Sequence, residues 1–133
     1  MKVVKELLGG VAMTVVCILT VIFLIWCSGH TTYAETWEEI GTMRITHYCP
    51  CEKCCHEWAY GPTASGVMPT RFRTVAVDKD QIPLGSTVYI EGYGFRVAED
   101  TGVGWGCIDV YTDDHQRAKE LGLKYRRVWI VKE

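Results

Sequence analysis

The chain has 133 residues, 48% hydrophobic and 23% charged, with a formal net charge of −2. That length holds one globular domain rather than two. The apolar share excludes a disordered chain, the charged share excludes a multi-span membrane protein, and the lack of a basic surplus argues against a nucleic-acid module.

In chain order, the first element is a segment without charge: no Asp, Glu, Lys or Arg occurs from Leu7 to Ala34. Lys2 and Lys5 precede an apolar run from Val11 to Trp26. With its flanks, about 20 residues are available to cross a hydrocarbon core of roughly 30 Å, and only a helix satisfies the backbone there. The lysines belong on the cytoplasmic side, so the remainder is exported. The preferred reading is an uncleaved single-pass anchor that holds the chain in the cell membrane. The rival is a signal peptide cleaved after Ala34, where Thr32 and Ala34 supply the small residues that a signal peptidase reads. Residues 1–34 are therefore read as anchor and 35–133 as exported domain, with the polar stretch from about Ser28 to Gly41 as tether. Removing Lys2, Lys5 and Glu6 leaves 12 basic and 15 acidic side chains outside, which still gives no reason to bind nucleic acid.

The exported part reads as short strands. Met43–Tyr48 alternates, Thr74–Val77 is a β-branched run, and a turn at Ile82–Gly85 leads into Thr87–Ile90. Glu91–Gly94 reverses the chain into Phe95–Ala98, a hairpin. Ile108–Tyr111 and Val128–Val131 are further strands, with Trp129 assigned to the core. One helix is predicted, capped by Thr112 or Asp113 and carried from Asp114 to Leu121, with Gly122 ending it and His115 as a solvated residue on it. Short strands with one short helix suggest a small closed β-barrel, mainly all-β, in which closure removes exposed edges.

Two of the seven cysteines, Cys17 and Cys27, lie in or beside the apolar run. The others are Cys49, Cys51, Cys54, Cys55 and Cys107. Cys51-x-x-Cys54 has zinc-knuckle spacing, which His47, His56 or Cys107 could complete. No second knuckle exists, and an exported domain favours disulfides, so all five are read as disulfide candidates ahead of zinc or free thiols, the odd count leaving at least one unpaired within the chain, and no metal is expected. A bridge from the cluster to Cys107 would pin two loops together.

Six aspartates lie in the exported part. Asp113 and Asp114 are explained by helix capping, and Asp80 by a polar turn. Asp78, Asp100 and Asp109 each end or interrupt an apolar strand. A carboxylate so placed is partly desolvated, which raises its pKa and suits it to proton transfer. The competing explanation is hydrogen bonding to strand ends and turn amides. No P-loop or dinucleotide fingerprint appears, so no cofactor is expected.

Five ordered motifs carry a resemblance: Thr63-Ala64-Ser65-Gly66, Thr74-Val75-Ala76-Val77-Asp78, Ile82-Pro83-Leu84-Gly85-Ser86, Ala98-Glu99-Asp100-Thr101-Gly102 and Ile108-Asp109-Val110-Tyr111. Together they resemble the 3D (Asp-Asp-Asp) domain over roughly Met43 to Val131. That family is similar to the C-terminal region of the membrane-bound lytic transglycosylase A family and to stationary-phase-survival and resuscitation-factor-like wall proteins. The resemblance implies a six-stranded double-psi β-barrel. It also implies cleavage of the bond between N-acetylmuramic acid and N-acetylglucosamine in peptidoglycan, with 1,6-anhydro products. By resemblance Asp109 is the acid/base, supported by Asp100 and Asp78. A single group can serve first as acid and then as base on the substrate's own 6-hydroxyl, whereas a hydrolase uses a second carboxylate and water.

The loop between the second and third aspartates departs from the family pattern. Only Gly102 to Cys107 stand there, without the family's basic residue. Thr63, Ser65 and Thr101 are candidate donors to glycan hydroxyls, with turn roles open for Thr63 and Ser65, and Tyr48 is a weaker candidate. Trp105 either stacks on a sugar face or fills the barrel mouth. The expected partners are glycan strands and, through the N-terminal helix, the membrane. The shortened loop keeps a second reading open, a non-catalytic module that binds the wall; a glycoside hydrolase of the same bond is a third.

Overall fold

The structure, a computed structural model, describes residues 13, 15–26 and 36–132. It divides into two units, residues 1–34 and 35–133. In the first, residues 13 and 15–26 are helical, and Val16, Leu19, Phe23 and Ile25 stand exposed. Among the described residues, no helix is long and apolar enough to cross a membrane. The rest of the expected span, Cys27 and the expected cleavage site at Ala34 lie outside the described residues.

In the second unit, alternating apolar residues make six strands: β1 (Thr36–Tyr48), β2 (Thr74–Val77), β3 (Thr87–Ile90), β4 (Gly94–Asp100), β5 (Cys107–Tyr111) and β6 (Lys124–Lys132). They close into a barrel in the order β1-β5-β2-β4-β3-β6. β1 runs parallel to β5 and β2 to β4, and the other neighbours are antiparallel. The mainly-β barrel expected from the sequence is therefore present. Its inside is filled from successive strands by Met43, Ile45, Val75, Val77, Val88, Ile90, Ala98, Ile108 and Val128, none more than 2% exposed. Because side chains alternate along a strand, the residues between these point outward.

Three local expectations are corrected. The polar stretch read as a tether up to Gly41 is strand from Thr36, because it pairs with β6 as far as Lys132. Trp37 packs against Tyr89 and Phe95, Glu38 pairs with Lys132, and the register shift between Glu39 and Gly41 uses the positive φ of Gly41, 104°. Trp129 is half-buried on the outer face, tilted against Tyr89 and under Arg127, because its neighbour Val128 takes the inward position. The helix runs from His115 to Leu121, and its cap is Asp114, whose carboxylate accepts from the Arg117 N–H at 2.7 Å. A further short helix, Glu52–Cys55, and a 3-10 turn, His56–Trp58, sit in the cysteine segment.

Candidate active site

The outer face at one side of the barrel holds the carboxylates. On β2, Val75 pairs with Ala98, but the next residue, Ala76, pairs with Asp100. Glu99 is thus the extra residue of a β-bulge, and the bulge changes which residue of β4 shares a face with Ala76. On its other side Ala76 pairs with Asp109 of β5, and Asp109 in turn pairs with Thr46 of β1. Asp109 and Asp100 therefore flank Ala76 in neighbouring rows, two strand spacings or roughly 10 Å apart at Cα. The methyl of Ala76 leaves the space between them open.

Each carboxylate is held differently. Tyr48 Oη donates to Asp100 Oδ2 at 2.9 Å, and the backbone N–H groups of Ala64 and Thr101 donate to Oδ1 at 3.1 and 2.9 Å. Burial, then the adjacent Asp100 charge, pushes the Tyr48 phenol up, which keeps it a neutral donor. Asp109 accepts at Oδ1 from Thr46 Oγ1 at 2.9 Å. Its pKa is raised, by burial first; the Asp100 charge adds to this, while the Thr46 hydrogen bond and Arg44 oppose it. Glu99, beside Asp100 in sequence, is occupied elsewhere: its carboxylate accepts from Arg73 Nε at 2.7 Å and from Thr74 Oγ1 at 2.6 Å. It anchors the start of β2.

A groove of about 630 Å³ runs over this face. Asp100, Asp109 and Ala76 lie along it with Tyr48, Tyr111 and Thr63, and the segment after β1 contributes Trp58 and Tyr60. Both of these aromatics are exposed. The chemistry available is that of a proton donor in a partly desolvated setting beside a fixed, charged partner, under aromatic surfaces of the kind that take sugar rings.

The sequence-predicted residues divide accordingly. Asp100, Asp109, Thr63 and Thr101 meet in the groove. Asp78 does not: its carboxylate accepts from the Asp80 N–H at 3.0 Å and its carbonyl from those of Gln81 and Ile82, so it closes a turn at the end of β2. Ser65 and Trp105 lie outside the groove lining, both exposed. Ser65 uses its backbone N–H on the Glu99 carbonyl. Thr63 is buried, and its Oγ1 has no partner among the described residues. Tyr48, weakly weighted from sequence, is a direct partner of Asp100. Trp58 and Tyr60 were missed there; their nearness to the cysteine cluster was the one available signal.

The five disulfide candidates lie in two places. Cys49, Cys51, Cys54, Cys55 and Cys107 are all free. Cys107 pairs in register with Arg44, five residues before Cys49 on β1, or roughly 16 Å along the strand. Its Sγ accepts from Arg44 Nε at 2.7 Å. Cys49, Cys51 and Cys54 instead converge on His115. His47, by contrast, faces the Gly122 carbonyl at 2.9 Å, and His56 lines the groove.

Residues 73–132 match the family model of the 3D domain. The chain carries a 3D domain. The matched span includes all three strand-interrupting aspartates and His115, while Tyr48, the cysteine cluster and the Trp58 segment lie before it. The chain is 34% identical over 103 residues to the putative cell wall shaping protein YabE of Bacillus subtilis (strain 168), covering 73% of this chain and 24% of that protein. It is 41% identical over 69 residues to the cell wall-binding protein YocH of the same organism, covering 48% of this chain and 24% of that one. The chain thus spans about a quarter of the length of the curated relatives it matches. Among solved structures it is similar to E. coli MltA, with a TM-score of 0.45 and 26% identity over 56% of this chain and 28% of that one. It is also similar to E. coli MltA with bound chitohexaose, with a TM-score of 0.46 and 25% identity over 56% and 29%. Within the 3D domain of this chain, the bulge at Glu99 and the Ala76 gap are what bring the second and third aspartates to one face.

Proposed function

We propose that the barrel is a peptidoglycan lytic transglycosylase that cleaves between N-acetylmuramic acid and N-acetylglucosamine, with Asp109 as acid and then base. The observation that carries the reading is Asp109 itself: a carboxyl with a raised pKa, lining an open groove across Ala76 from a charged, triply hydrogen-bonded Asp100. Asp109 gives its proton to the glucosamine oxygen as the bond from C1 of the muramoyl sugar breaks. The resulting carboxylate takes the proton of the same sugar's 6-hydroxyl as that oxygen closes on C1. The acid is regenerated and no water is consumed. Asp100 holds its charge fixed near the developing cation, Thr101 is a hydrogen-bond partner for glycan hydroxyls, and Trp58 and Tyr60 offer stacking faces. The cell-wall names of both curated relatives support the substrate class.

The barrel is read as the double-psi form, on its two parallel pairings. The apolar N-terminal segment anchors it in the cell membrane with the barrel facing the wall. An N-terminal sequence beginning at Glu35 would replace the anchor with a cleaved signal.

The test is mass spectrometry of purified sacculi digested by the wild type and by Asp109→Asn. The expected result is 1,6-anhydromuropeptides from the wild type and none from the variant. Reducing-end products alone would make the protein a hydrolase that activates water. The short Gly102–Gly106 loop, which gives the groove only Gly102 and Val103, favours a second reading as a wall-binding module. Sacculus pull-down without soluble product over long incubation would establish that one.

A further inference from the structure

The three sulfurs and one nitrogen beside the groove, which Cys54 helps to line, have the arrangement of a metal site. Cys49 Sγ lies 3.1 Å from Cys51 Sγ and 3.5 Å from Cys54 Sγ. His115 Nδ1 lies 3.6, 3.5 and 3.4 Å from the sulfurs of Cys49, Cys51 and Cys54. All four atoms fall within 4.8 Å of one another. With Zn–S near 2.3 Å and Zn–N near 2.0–2.1 Å, a tetrahedral ion sets nitrogen and sulfur about 3.6 Å apart and sulfurs about 3.8 Å apart. The imidazole nitrogen already stands at that spacing from every sulfur, and seating an ion asks the thiols to spread by less than about 1 Å. A disulfide asks for the opposite, two sulfurs drawn together to about 2.05 Å with the third left over.

The local fold sets this geometry. Cys49 follows the last residue of β1, and its side chain is buried. The Cys54 N–H donates to the Cys51 carbonyl at 3.0 Å, a tight turn that brings those two residues together. His115 opens its helix directly after the cap Asp114. The neighbouring Cys55 is excluded: its Sγ donates to the Cys49 carbonyl at 3.2 Å and does not join the converging set of Cys49, Cys51, Cys54 and His115.

We propose that Cys49, Cys51, Cys54 and His115 form a tetrahedral structural zinc site. Three thiolates and one imidazole fill the coordination shell, which leaves no position for water or substrate and suits a structural ion rather than a catalytic one. The ion ties the segment carrying Trp58 and Tyr60 to the helix after β5 and so fixes one wall of the groove. This inference stands on the cluster alone and is independent of whether the groove cleaves glycan.

The test is metal analysis of the full chain, purified under reducing conditions without chelator, exposed to zinc and desalted. About one zinc per chain is expected, and cobalt should give the thiolate charge-transfer and visible bands of a tetrahedral S₃N centre. Cys51→Ser, Cys54→Ser and His115→Ala should each lower retained zinc roughly tenfold or more, while Cys55→Ser and Cys107→Ser keep it. A folded wild type that takes up no zinc would overturn the proposal. So would octahedral cobalt bands, or loss of zinc from Cys55→Ser as complete as from Cys54→Ser. The wild-type cobalt spectrum keeps the proposal decidable if a ligand variant fails to fold.

Discussion

An acid poised by burial should cost the fold something, and Asp109→Asn measures how much. Asparagine keeps the shape of the side chain and the oxygen that accepts from Thr46 Oγ1, and removes the charge. An unfolded aspartate titrates near ~3.9. In the folded chain burial raises that value, and the Asp100 charge adds to it. Below the unfolded value both states hold the proton and the site is neutral in its effect. As pH rises from there through the folded value, the unfolded chain ionises first and the folded state loses relative stability; above it the penalty is complete. At neutral pH the variant should therefore be more stable by roughly 0.5–2 kcal/mol, the usual gain when a strained active-site group is relieved. For a domain of this size each kcal/mol corresponds to about 4–8 °C in Tm. Thermal unfolding of variant and wild type, compared at about pH 7.5 and about pH 3.5, tests this. The gain should be present at the higher pH and gone at the lower. A variant less stable at neutral pH, or one equally stabilised at both, would refute the claim that a desolvated carboxyl sits there.

Four further outcomes follow from the same geometry. The rate of sacculus digestion should fall as pH rises through the raised pKa of Asp109, because the leaving oxygen needs its proton; a rate climbing steadily into the alkaline range would place the acid elsewhere. Tyr48→Phe removes one of three donors on Asp100, a charged hydrogen bond worth about 1.5–3 kcal/mol, so turnover should drop while sacculus binding persists. Ala76→Val fills the gap between the two carboxylates; it should cost about 1–3 kcal/mol of stability from overpacking and lower digestion on the order of 100-fold. Trp58→Ala should weaken sacculus binding by roughly 2- to 10-fold with stability unchanged, whereas Trp105→Ala should leave binding as it is, since Trp105 stands outside the groove lining; pull-down titrations of the two variants separate them.

Much of the barrel is legible in the sequence because its strands obey local rules. Thr74–Val77 and Thr87–Ile90 are β-branched runs bounded by turns, and both strands form over those residues. The reversal at Glu91–Gly94 works because Gly92 and Gly94 take φ near 80°, where a side chain is strained. The first half of β1 is not legible: Glu38 and Glu39 break the alternation, and its partner β6 lies some ninety residues away, so only tertiary pairing makes it a strand. His115 is hidden for a related reason. Beside a capping aspartate it reads as an ordinary helix start, and its three thiol neighbours come from the far end of a parallel β1–β5 pair.

The aspartates show where a local rule stops carrying information. Asp78, Asp100 and Asp109 share one signature, a carboxylate set against an apolar strand, yet they meet different fates. Asp109 sits inside β5 with strands on both sides, so its direction is fixed by alternation between the inward Ile108 and Val110. Asp78 lies one residue beyond β2, where no ladder holds the backbone, and its carboxylate turns to the amide of Asp80. Asp100 is the instructive one. By simple alternation from Ala98 in the core, Glu99 would share the outer face with Ala76, and the site would have glutamate where it has aspartate. The bulge removes Glu99 from that register and spends it on Arg73 and Thr74, so that Asp100 takes the place opposite Asp109. The bulge thus decides which acid faces Asp109: deleting Glu99 should abolish the bulge and the contacts to Arg73 and Thr74 while Asp100, then next after Ala98, keeps its place opposite Ala76.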